Sequence, residues 1–214
     1  MIEKKGDTMH IPDGALPISH CVIYWALILP FLALYIREVR GVPEEEGGRK
    51  LVHTAIIATF VFAVTLFEIP TPVGIPFHLL MIPFAAIALG REAGVMISFL
   101  VLLLQFILVG EGGFTTLGAN TLVMGVCCSY VSAGFYNLIK DVNEKIGILS
   151  GVFGGIITAA ALNALILAYA GVLPLKFILI FNITAYTPAG IGEGVITMIL
   201  IEFLRKIGYG GVMV

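Results

Sequence analysis

The chain has 214 residues, 59% of them hydrophobic and 12% charged, with a formal net charge of −2. No soluble domain of this length keeps its surface polar on so few charges. The composition, with a mean hydropathy of +1.04, therefore excludes one and specifies an all-α, polytopic membrane protein. There is no basic stripe with interleaved aromatics, so no nucleic-acid partner is expected, only membrane lipid and other proteins.

The first element in chain order is a polar strip, Met9-His10-Ile11-Pro12-Asp13-Gly14. If Met9 is the true first residue, its free amine, the His10 amide nitrogen and the His10 ring Nδ1 can close on one ion as two fused chelate rings. Three nitrogens then share a plane with an open fourth corner, which suits Ni(II) or Cu(II). Pro12 stiffens the exit and Asp13-Gly14 is a turn signal. Residues 1–8, MIEKKGDT, have no apolar run and do not read as a secretory signal. They are expected to be a non-native upstream extension or a trimmed segment, with residues 9–214 forming a single membrane domain.

Seven apolar spans follow, at about 20–37, 51–68, 77–90, 93–109, 120–139, 147–172 and 189–206. The third is short and carries Pro83, so a broken or tilted helix is expected there. Leu175-Lys176-Phe177-Ile178-Leu179-Ile180-Phe181 is too short to cross and is read as dipping into the surface. Arg37, Arg40, Arg49, Lys50, Arg91, Lys140, Lys145, Arg205 and Lys206 fall in alternate connections, which puts the amino terminus outside the cell membrane and the carboxyl terminus in the cytoplasm. Dropping residues 1–8 leaves Lys176 as the outer basic residue and sharpens that asymmetry. Cys21, Cys127 and Cys128 lack C-x-x-C spacing and read as small packers.

His78 begins the third span after a stiff, Pro- and Gly-rich run, and a neutral imidazole there would fill the fourth corner of the plane. His20 reads as a boundary anchor and His53 as a surface or interface residue. Gly110-Glu111-Gly112-Gly113-Phe114-Thr115-Thr116-Leu117-Gly118-Ala119-Asn120 is rich in glycine, but lacks the lysine of a nucleotide loop. Its glycines suit the close approach of another backbone. Glu111, Thr115 and Asn120 are candidates to hold ligands through hydrogen bonds, and Asp13 lines the same site. Glu193 is placed one turn into the last span, facing the strip, Lys176 or the headgroups. Gln105 and Asn163 are read as interhelical hydrogen-bonding residues, and Gly151, Gly155 and Ala159 as a smooth packing face. Glu68 closes the second span and is ambiguous.

Met9-His10-Ile11-Pro12-Asp13-Gly14, Phe77-His78-Leu79-Leu80, the run Glu111–Asn120 and Glu193-Gly194-Val195-Ile196-Thr197 resemble the CbiM/NikM family of substrate-capture subunits of energy-coupling-factor nickel and cobalt transporters. The resemblance runs from residue 9 over nearly the whole chain. It implies seven spans, an amino-terminal strip plugged into the bundle, and metal ligands at Met9, His10 and His78. It also implies a coupling transmembrane subunit and cytoplasmic ATPase subunits as partners, and leaves room for a small accessory membrane subunit.

The leading reading is a non-enzymatic metal-binding subunit of an ATP-driven importer, linked by the resemblance to cobalamin biosynthesis. Ni(II) is preferred as transported substrate because a square plane of nitrogens suits it, with Co(II) as the other candidate. The alternatives are a stand-alone metal-ion channel or carrier, and an intramembrane hydrolase. The hydrolase would need H-E-x-x-H or similar spacing, which does not occur.

Overall fold

The computed structural model describes residues 9–67 and 78–208, and contains seven helices and no strand among them. These are α1 (Ile18–Arg40), α2 (Glu44–Thr65), α3 (Ile82–Leu89), α4 (Arg91–Val109, its last turn a π-helix), α5 (Leu117–Ile139, with a π-helical stretch at Thr121–Cys127), α6 (Glu144–Tyr169) and α7 (Leu175–Lys206). All but α3 are long and apolar enough to cross a membrane. The chain is a multi-pass membrane protein.

The helix ends follow local chemistry. Pro17, Pro43 and Pro174 occupy the N-cap positions of α1, α2 and α7. Glu44, Glu45 and Glu46 fill the first turn of α2, and Arg37 and Arg40 the last turn of α1, each opposite in sign to its helix dipole end. Asn143 caps α6 by accepting from the Ile146 amide at 3.1 Å.

The third expected span is the eight-residue α3, about 12 Å long and far short of the bilayer core. Pro83 sits in its first turn, where no donor is missed. The segment 175–181 is a correction: it does not lie on the surface but forms the first two turns of α7, which runs 32 residues. The last expected span, about 189–206, is only the second half of this helix, which continues through Pro188 as membrane helices allow. Glu193 therefore lies deep in the helix, not one turn from its end. Glu68, residues 1–8 and the Pro/Gly-rich run before His78 lie outside the described residues.

α1 buries only Cys21, Ile28 and Tyr35, a narrow seam at heptad spacing, and turns Ile18, Val22, Ile23, Leu27 and Leu29 outward, as a lipid-facing helix must. The smooth face of α6 packs on α5. A Cβ added at Gly151 would stand 2.7 Å from the Ser132 carbonyl oxygen, and one at Gly155 2.9 Å from that of Cys128. Cys21 and Cys128 are buried packers. His20 stacks on Tyr169, with ring centroids 5.1 Å apart, and joins the start of α1 to the end of α6.

α1 and α5 meet main chain to main chain, and a Cβ at Gly118 would lie 2.6 Å from the Trp25 amide nitrogen. Main chain cannot yield as a flexible side chain does. Gly118→Val is expected to destabilise the bundle by about 1–3 kcal/mol, read as a lowered midpoint of thermal unfolding in detergent.

Candidate metal centre

The polar strip enters the bundle as irregular backbone. Met9 is fully buried, His10 and Ile11 nearly so, and such backbone survives among membrane helices only if its amides and carbonyls are bonded. Side chains supply the partners. Asn163 of α6 donates to the Met9 carbonyl at 3.1 Å. Asn120 of α5 grips Ile11 from both sides, accepting from its amide at 2.9 Å and donating to its carbonyl at 3.0 Å. The Thr116 hydroxyl donates to the same carbonyl at 2.6 Å. The turn then closes with Ala15 N–H on the Pro12 carbonyl at 3.2 Å and Gly14 at φ +84°.

Asp13 locks the strip to the Gly-rich loop. Its carboxylate accepts from the Phe114 and Thr115 amides at 3.0 and 2.8 Å, the Thr115 hydroxyl at 2.5 Å and the Thr116 amide at 3.4 Å. Gly113 makes this possible, since a Cβ there would stand 2.5 Å from the Asp13 amide nitrogen. Partial burial is the largest single influence on the Asp13 carboxyl and pushes its pKa up. The Thr115 hydroxyl and the three amides together outweigh it and hold the group below the ordinary carboxylate range.

This anchoring sets His10 against His78. Both are buried, at 8% and 4% exposure, and their rings lie 5.1 Å apart, tilted by 47°. The Glu111 carboxylate joins them: one ligand atom from each of His10, His78 and Glu111 lies within 4.8 Å of the others. Ligand atoms sharing one ion at about 2.1 Å stand about 3–4 Å apart, so a small side-chain movement closes the trio on a cation. Gln105 donates to Glu111 at 3.3 Å. A cavity of about 10 Å³ opens beside the two rings, lined also by Ser98, Gln105 and Met124. Gln105 and Met124 come from the two π-helical stretches, where the widened turn re-aims a side chain inward.

His78 sits on a second irregular segment, pinned by Glu193. That carboxylate, 1% exposed, accepts from the Leu80 amide at 2.8 Å and the Met81 amide at 2.7 Å. All eight residues singled out in the sequence, Met9, His10, Asp13, His78, Glu111, Thr115, Asn120 and Glu193, thus fall in or against this one region. Glu193 reaches neither Lys176 nor the headgroups. Three contributors were missed in the sequence: Thr116, Asn163 as an anchor of the strip, and Asn182, which donates to Asn163 at 3.1 Å. A buried amide in an apolar span was the available signal; Asn182 falls between the expected surface segment at 175–181 and the span expected from about 189, so it lay in no expected span.

Residues 10–209 match the family profile described as the CbiM cobalt uptake substrate-specific transmembrane region. The chain belongs to the CbiM family. It is 31% identical to the cobalt transport protein CbiM of Acetohalobium arabaticum, over 94% of this chain and 84% of that protein. With the CbiM of Thermosipho melanesiensis the identity is 32%, over 96% and 90% of the two chains. A crystal structure of a transition metal transporter superposes with a TM-score of 0.83 at 28% identity, covering 92% of this chain and 93% of that one. The biotin S-component of an ECF-type ABC transporter shares the fold, with a TM-score of 0.64 at 19% identity over 81% of this chain and all of that one. CbiM relatives are named as transport proteins, and the expectation of a transport subunit rather than an enzyme stands.

The Asp13 lock is fully made above the ordinary carboxyl pKa of about 4 and is lost only as pH falls through the lowered folded value. Asp13→Ala is therefore expected to speed hydrogen exchange at the Ile11 and Thr115 amides at least tenfold at neutral pH. After correction for intrinsic rates, the parent protein should approach that behaviour only below about pH 4.

Proposed function

We propose that this chain is the metal-capturing membrane subunit of an ECF-type importer, and that it holds a divalent transition-metal ion between the amino-terminal strip and His78. The observation that carries this reading is the juxtaposition of the buried His10 and His78 rings with the Glu111 carboxylate, on backbone held by Asn120, Asn163, Asp13 and Glu193. Two imidazoles with a carboxylate are ordinary ligands for a first-row transition metal.

Co(II) is the favoured cargo, because the relatives are named for cobalt. The sequence-based preference for Ni(II) rested on a square plane of nitrogens and finds no support in those names. Ni(II) stays as a competing ion. In the form that binds most tightly, the chain begins at Met9: the Met9 amine and His10 amide then join the His10 ring and His78 ring, with Glu111 beside them. The burial of Met9 beside His10 supports this ligand set.

The amino terminus faces outside, and the nine basic residues of the alternate connections face the cytoplasm. ATP hydrolysis falls to cytoplasmic subunits acting through a coupling membrane protein, for which the S-component fold of the biotin protein is the support.

Calorimetry and metal analysis of purified protein should find His10→Ala and His78→Ala at least 100-fold weaker for Co(II), with His53→Ala unchanged. Full affinity in either histidine variant would refute the site. Protein made to begin at Met9 should bind more tightly than the same protein with one residue added ahead of it, and equal affinities would remove the amine from the ligand set. Tighter binding of Ni(II) than of Co(II), with a yellow diamagnetic nickel form, would reverse the choice of cargo.

A further inference from the structure

The buried stripe of α7 runs through Ile178, Asn182, Tyr186, Ala189, Glu193, Thr197 and Ile201. Two of its polar members bear on the irregular backbone, Glu193 directly and Asn182 through Asn163. Asn182 donates to Asn163 at 3.1 Å, and Asn163 in turn donates to the Met9 carbonyl at 3.1 Å. Three turns further along, about 17 Å down the same face, Glu193 collects the Leu80 and Met81 amides at 2.8 and 2.7 Å.

The second grip holds an unfavourable conformation. Met81 has φ 54°, the only positive φ at a non-glycine position among the described residues, and a long side chain avoids that region. Two successive amides converging on one carboxylate keep it there, three residues from His78. Between the two grips α7 carries Pro188, which removes a main-chain donor, and the Thr187 hydroxyl turns back to the Ile183 carbonyl at 2.7 Å. The helix's own hydrogen-bond ladder is interrupted there.

We infer that α7 positions both histidines: Glu193 sets the His78 segment, and Asn182, acting through Asn163, sets the Met9–His10 segment. The separation of the two ligands then follows the shape of α7 at Pro188. Glu193 and Asn182 are positioning residues and touch no ion. The inference rests on the capture site proposed above.

Co(II) binding by the full chain in detergent tests it, read by calorimetry and by the visible d–d absorption of the bound ion. Glu193→Gln leaves one good acceptor for two amides. It is expected to bind at least tenfold more weakly, with a shifted or broadened absorption band. Asn182→Ala should weaken binding in the same way from the other end. Thr197→Val, one turn beyond Glu193 on the same stripe, should match the parent in both readouts. If His10→Ala binds Co(II) as the parent does, the capture site itself falls. If His10→Ala loses binding while Glu193→Gln keeps the parent's affinity and spectrum, the positioning role alone is overturned. It is overturned equally if Thr197→Val is as damaging as Glu193→Gln. Should Glu193→Gln not be recovered folded, Asn182→Ala decides: parental affinity and spectrum there reject the inference.

Discussion

Irregular main chain inside a membrane bundle has no water to bond, and each orphaned amide or carbonyl costs several kcal/mol there. That constraint governs the molecule. Two stretches, Met9–Ile11 and His78–Met81, reach the interior as irregular backbone. Each is met by polar side chains on the helices or in the turn that leads into α5. Asn120, Asn163 and Thr116 serve the first stretch, and Glu193 serves the second. These polar side chains are matched to particular main-chain groups, so the strip has one register. A shift by one residue would put side chains where Asn120 expects both an amide and a carbonyl.

The same matching explains how polar side chains come together among such apolar walls to form the proposed cation site. His10 and His78 are not held by their own ring contacts alone; their backbones are fixed first, and the rings follow. Glu111 approaches from a loop whose glycine allows the strip to pass against it. Two π-helical stretches open α4 and α5 at the depth of the rings and turn Gln105 and Met124 towards them. The rest of the bundle, from the small-residue joint of α5 on α6 to the lipid face of α1, gives this arrangement a rigid frame.

Much of this was legible in the residues. Composition identified a helical membrane protein, and the short third span with Pro83 announced α3. The strip, His78 and the Gly-rich loop could be paired because each carried polar or turn-forming residues where apolar ones were due. Two features hid the rest. Pro188 reads as the start of a span in sequence, since proline more often bounds a helix than lies within one, and this cut α7 and concealed Asn182. Asn163 was visible, but an amide on a helix face looks the same whether its partner is another helix or a distant strip of main chain. The pairing of Glu193 with Leu80 and Met81 was beyond reach for a similar reason: hydropathy marks a buried carboxylate but carries no information about which amides it meets.

The grip of Asn163 on the Met9 carbonyl joins residues 154 positions apart, and Asn120 meets Ile11 across 109. During synthesis the strip emerges first and its holders emerge late, with Asn163 itself steadied by the still later Asn182. Asn120 and Thr116 can meet Ile11 once α5 is in place, but the Met9 carbonyl gains its partner only with α6, and that partner is steadied only with α7. The proposed capture site is therefore whole only in a chain whose every helix is in place.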